Sequence, residues 1–121
     1  MSLPLALADQ SVLTTKQVES LLSYVRVVNG EMHLREAAGL RIGNRGKPVS
    51  IGSYYRTVQQ GRLKIRGSLT TLAIAMATGL VRVEDVRRLF DLVGRGSSEL
   101  SEEEVDRFVA VFRSLLDKIV M

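Results

Sequence analysis

Residues 39–50 read Gly39-Leu40-Arg41-Ile42-Gly43-Asn44-Arg45-Gly46-Lys47-Pro48-Val49-Ser50. Three glycines and a proline forbid a helix here, and Gly43-Asn44 and Arg45-Gly46 are turn dipeptides. Leu40 to Ile42 facing Val49 to Ile51 would make one short hairpin. On both sides of this stretch apolar residues recur at helical spacing. The segment therefore interrupts an otherwise all-α chain, and a compact helical bundle of five or six helices is expected.

Upstream, Thr14-Thr15-Lys16-Gln17 fits a capping box, with hydroxyl and amide satisfying orphan backbone donors. Val18, Leu21, Leu22, Val25 and Val28 follow at helical spacing, and Asn29-Gly30 supplies a left-handed stop. A second, short helix is expected from Met32 to Ala38, ended by Gly39, with Leu34 and the two alanines inward. Downstream the helical period returns from Ser53, through Val58, Ile65, Leu69, Leu72 and Met76. Gly61 and Gly67 each cost about 1 kcal/mol relative to alanine inside a helix. The sequence leaves open whether 53–79 is one helix or two.

Past Gly79, Val83, Val86, Phe90 and Val93 set up another helix, with Glu84 and Asp85 complementing the dipole of its first turn. Gly94 to Ser98 reads as a loop. Ser101 to Glu104 is a second capping box and opens the last helix, residues 101–120. Its apolar positions Val105, Phe108, Phe112, Leu115 and Ile119 are spaced three, four, three and four, a seam broadened by Val109 and Leu116. That seam suits packing on the helix's own domain and a dimer equally. A homodimer with Phe108, Phe112, Leu115 and Ile119 at its interface is the expectation carried forward.

The chain has 121 residues, which predicts a single helical domain, 1–121. Apolar residues make up 45% and charged residues 25%, the balance of a folded protein rather than a disordered one. With no cysteine, disulfides, zinc–thiolate sites and thiol nucleophiles are excluded. The single histidine, His33, excludes a multi-histidine metal site. No apolar run approaches the roughly 20 residues that cross a bilayer, and Met1 to Leu7 makes a poor signal peptide. A cytoplasmic protein that meets no membrane is expected. Arginines outnumber lysines thirteen to four and there are only two asparagines, a composition that leans toward an archaeal or thermophilic source.

The net charge of +4 conceals an asymmetry. Between Arg35 and Arg66 eight basic residues stand against one acid, Glu36, giving +7. The 34 residues before sum to −1 and the 55 after to −2. Positive charge gathered in one third of a chain is what a polyanionic partner selects.

Chemistry of other kinds finds no footing. A Walker A loop needs glycine five positions before Gly46, where Arg41 stands, and Lys47 precedes Pro48 rather than a hydroxyl. No βαβ unit surrounds the glycines, so a dinucleotide site fails as well. The acids cluster at helix starts, where caps and dipoles explain them, and His33 has no evident partner. Neither a catalytic residue, a cofactor, a metal nor a small-molecule substrate is expected.

The short second helix, the basic turn and the run Ser50-Ile51-Gly52-Ser53-Tyr54-Tyr55-Arg56-Thr57-Val58-Gln59-Gln60-Gly61-Arg62 have the make-up of a helix-turn-helix, residues 31–66. In that motif the front of the second helix enters the major groove. Hydroxyls there serve phosphates, arginine serves guanine and glutamine serves adenine. At 100° per residue Arg56, Gln59, Gln60, Leu63 and Lys64 form one stripe opposite Val58 and Ile65, with Arg66 at its edge and Arg62 nearer the apolar side. The candidate DNA-binding residues are Arg41, Arg45, Lys47, Ser50, Ser53, Tyr55, Arg56, Gln59, Gln60, Arg62, Lys64 and Arg66.

The Ser-x-x-Ser-Tyr-Tyr-Arg run at residues 50–56 resembles the start of the recognition helix in small archaeal and transposase-type helix-turn-helix proteins. The resemblance implies binding of double-stranded DNA, with Ser53, Tyr55 and Arg56 near the backbone or groove. Two further readings stand beside it: a helical protein-interaction module with a basic face, and an RNA-binding protein. Three tyrosines and three phenylalanines give little for recognition by base stacking.

Overall fold

The computed structural model describes residues 3–43, 46–95 and 100–120. Among them are six α-helices: α1 (Leu3–Leu7), α2 (Thr15–Val28), α3 (Leu34–Leu40), α4 (Ile51–Ala77), α5 (Val83–Arg95) and α6 (Glu102–Ile119). A 3-10 turn over Ala8–Gln10 follows α1. The fold is all-α. The chain groups into two compact units, residues 11–65 and residues 1–10 with 66–121.

In the first unit α2 begins as its sequence dictates. Thr14 Oγ1 accepts the N–H of Gln17 at 3.2 Å, and Gln17 Oε1 accepts the N–H of Thr14 at 3.0 Å. The helix closes at Gly30, whose φ of 77° lets the N–H of Glu31 reach back to the carbonyl of Arg26 at 2.9 Å. The inward face of α2 differs from the expected one. Val18 is buried, but Val25 and Val28 are exposed, and Gln17 and Ser20 are buried instead. The buried polar groups are paired: Gln17 Oε1 accepts from Lys64 Nζ at 2.9 Å, Ser20 Oγ donates to Lys16 O at 2.8 Å, and the Ser20 carbonyl accepts from a tyrosine hydroxyl at 3.0 Å.

That tyrosine is Tyr54, fully buried on α4. With Val58, Ala37 and Ala38 it forms the core, and Leu21, Tyr24, Val27, Leu34 and Val49 pack around it. Its hydroxyl donates to the carbonyl of Ser20 at 3.0 Å and lies 2.6 Å from Ser23 Oγ. Tyr54 thus belongs to the interior and supplies no hydroxyl to an outer surface.

α3 runs through Gly39 to Leu40 and stops at Arg41, whose N–H still reaches Ala38 O at 3.2 Å. The hairpin beyond it is smaller and differently registered than Leu40–Ile42 against Val49–Ile51. One antiparallel bridge joins Ile42 to Pro48, flanked by Gly43 N–H to Lys47 O at 2.7 Å and Val49 N–H to Arg41 O at 3.0 Å. Pro48 occupies the non-hydrogen-bonded position of the bridge, where its missing N–H breaks no ladder bond. Ile51 is taken by α4, because Ser50 Oγ accepts the N–H of Ser53 at 3.1 Å and caps the helix there.

α4 is one helix of 27 residues. At Gly61 an added Cβ would lie 2.9 Å from Leu21 Cδ1, so this glycine lets α2 and α4 approach.

In the second unit α6 packs against α1 and α5. Helix α1 had no signature in the sequence. Ala8, Val81, Val86 and Val105 are buried. Ser101 Oγ caps α6 by accepting the N–H of Glu104 at 3.2 Å. Glu104 takes the hydroxyl proton of Ser101 at 3.1 Å, where a full box would use the backbone N–H. Phe108, Phe112, Leu115 and Ile119 are each half-buried, and the two phenylalanine rings stack at 6.2 Å.

Candidate nucleic-acid interface

Burial of Tyr54, Val58 and Gly61 fixes which side of α4 faces out. Opposite it, at 100° per residue, stand Arg56 and Leu63, with Gln60 and then Ser53 turned toward one flank, and all four are exposed. Gln59 is half-buried, and Arg62 Nη1 reaches its Oε1 at 3.4 Å. Tyr55 is 40% exposed and meets Tyr24 of α2 edge-on, with ring centroids 6.4 Å apart.

The hairpin lies beside one flank of this face. Arg41 Nη1 donates to Thr57 Oγ1 at 2.9 Å, which brings the base of the hairpin to α4. Lys47 is exposed on the hairpin. The side chains of Lys47 and Arg56 make no hydrogen bond or ion pair among the described residues. Ser50 is exposed as well, with its hydroxyl engaged in the cap.

Two of the expected DNA contacts are used inside the protein. Arg41 is half-buried on Thr57. Lys64 Nζ donates to Val12 O at 3.0 Å and to Gln17 Oε1 at 2.9 Å, so it points to the start of α2 and away from the outer stripe. Arg66 is exposed but falls in the second unit, and Arg45 lies outside the described residues. The structure thus gathers Lys47, Ser50, Ser53, Tyr55, Arg56, Gln59, Gln60 and Arg62 on the first unit.

Among the described residues no three His, Asp or Glu side chains converge as metal ligands, and no helix is long and apolar enough to cross a membrane. His33 is the N-cap residue of α3 without a side-chain bond, at the edge of a concavity of about 460 Å³ shared with Glu31 and Glu36. In the second unit Leu92, Phe108 and Val111 floor an apolar groove of about 290 Å³, with Arg95, Arg107 and Glu104 beside it.

Comparison with known proteins finds no matching family model, curated protein or solved structure.

Proposed function

We propose that the chain binds double-stranded DNA, as a transcription regulator or chromatin-associated protein, through the outer face of α4 and the hairpin before it. The observation that carries this reading is the exposed row Ser53, Arg56 and Gln60, opposite a core that pins the helix. These are the residue types that bind phosphates, guanine and adenine in the major groove. Lys47 adds a cation alongside, in a segment carrying +7. The ten residues between α3 and α4 exceed the usual three or four of a helix-turn-helix, and the bridge between Ile42 and Pro48 lies among them.

A two-fold dimer belongs to this proposal, since it would present two such faces to half-sites a helical turn apart. Val83, Phe90 and Val111 of the second unit, each about half exposed, supply apolar surface for it.

The test is a titration against duplex DNA, duplex RNA and single strands at two salt concentrations. With about four phosphates engaged, duplex-DNA affinity should fall on the order of a hundredfold between 50 and 200 mM salt. Tighter binding to duplex RNA, or to single strands, replaces this reading with an RNA-binding one. Absence of binding to any of them replaces it with a protein-interaction module.

A further inference from the structure

We infer that Arg41 is a positioning residue for duplex binding, a strut holding the hairpin against α4, and not itself a phosphate contact. The binding half of this inference rests on the duplex-DNA reading above.

Three elements meet at this one residue. Arg41 ends α3 with an extended backbone, φ −88° and ψ 130°. Its carbonyl accepts the N–H of Val49 and so closes the hairpin. Its guanidinium donates to Thr57 Oγ1 at 2.9 Å, and Thr57 passes its own proton to Ser53 O at 3.2 Å. The hydroxyl proton is thereby committed inside α4, which leaves an oxygen lone pair for Arg41. Donor and acceptor are matched along the whole chain from guanidinium to helix carbonyl.

The hairpin needs such a tie. Among the described residues its ladder is a single bridge, between Ile42 and Pro48, and an isolated hairpin is marginally stable at best. Lys47 rides on it, so the distance from Lys47 to the face bearing Arg56 depends on what holds the hairpin in place. A charged donor on a half-buried hydroxyl is a stronger link than a neutral pair. Lys47 and Arg56, in contrast, project outward with no partner among the described residues.

The experiment compares Thr57→Val, which removes the acceptor and keeps every charge, with Arg41→Gln and the double variant. Duplex-DNA affinity at 50 mM salt should fall about three- to tenfold in each. The double variant should be no weaker than either single one. The slope of affinity against salt should stay at the wild-type value in all three. Amide exchange at Gly43 and Val49 should quicken severalfold in both single variants, while helix content by circular dichroism is unchanged. If Arg41→Gln lowers the salt slope by about one unit and Thr57→Val binds like wild type, Arg41 is a phosphate contact and the inference is overturned. Unchanged exchange at both amides sinks the strut as well. A wild-type chain that binds no duplex overturns the DNA reading, and the exchange measurement then decides the strut alone.

Discussion

Lys64 donates from Nζ to Gln17 Oε1 at 2.9 Å, and the same oxygen accepts the backbone N–H of Thr14 at 3.0 Å. A cation on α4 therefore completes the N-terminal cap of α2. Its second bond, to Val12 O, fixes the segment leading into that helix.

This makes Lys64 a stability residue, whereas its neighbours are binding residues only on the proposed DNA reading. Lys64→Met should lower stability by about 1–2 kcal/mol and leave the salt slope of duplex binding unchanged. Lys47→Ala should do the reverse, lowering the slope by about one unit at constant stability. Arg56→Ala and Gln60→Ala should each cost about 1–3 kcal/mol on a preferred duplex and little on others. Chemical denaturation paired with binding at several salts checks all four. A Lys64→Met variant of wild-type stability with a reduced slope would return Lys64 to the DNA contacts.

The triangle of Tyr54, Ser23 and the Ser20 carbonyl yields a second expectation. Ser23 Oγ lies 3.0 Å from Ser20 O, Tyr54 Oη 3.0 Å, and the two hydroxyls 2.6 Å from each other. Two hydroxyl protons serve these three contacts, so only two of them are hydrogen bonds at once. Tyr54→Phe and Ser23→Ala each leave one proton to serve Ser20 O. Each should cost about 1 kcal/mol, and the two costs should add in the double variant. A double variant clearly less damaged than that total would mean that all three contacts count.

Two of the three glycines inside α4, Gly61 and Gly67, should behave oppositely to each other. At Gly67 an added Cβ meets nothing within 4 Å, whereas at Gly61 it meets Leu21. Gly67→Ala should therefore raise stability by about 0.5–1 kcal/mol, through helix propensity and a less free unfolded chain. Gly61→Ala gains the same propensity but must displace a core leucine, and should end at least about 1 kcal/mol below Gly67→Ala. Thermal midpoints should separate the two by about 4 °C.

For the dimer the informative residues are exposed ones. Phe112 and Leu115 are half-buried within their own unit, so charging them would test folding as much as association. Phe90 is 56% exposed and Val83 49% exposed. A Val83→Glu, Phe90→Glu variant should sediment as a monomer with unchanged helix content, while the wild type sediments as a dimer. A wild type that is monomeric at high concentration ends the dimer proposal.

What the sequence discloses here follows the range of the interaction. The α2 cap is legible because Thr14 and Gln17 are three residues apart, and α6 for the same reason at Ser101 and Glu104. The division of labour between the adjacent tyrosines is also legible in principle. Tyr54 is four residues before Val58 and shares its inward face, while Tyr55 is a further 100° around the helix. The uses of Arg41 and Lys64 are not legible. Both are long flexible side chains whose partners lie 16 and 47 or more residues away, so no spacing announces them. The hairpin register escaped because Ser50 caps α4 and so draws Ile51 into the helix and out of the hairpin. Helix α1 escaped because five residues carry too little periodicity, and it packs against α6.

The buried hydroxyl of Tyr54 has one more consequence, for the clocking of α4 about its own axis. An aliphatic side chain at that position would fill its hole equally well across a range of helix rotations. A phenol must bring its oxygen to a carbonyl on α2, because an unpaired buried hydroxyl costs about 1–3 kcal/mol. Only a narrow range of rotations achieves that, and Arg56 and Gln60 point wherever the chosen rotation sends them. The aim of the outward residues is set by a group that faces the other way.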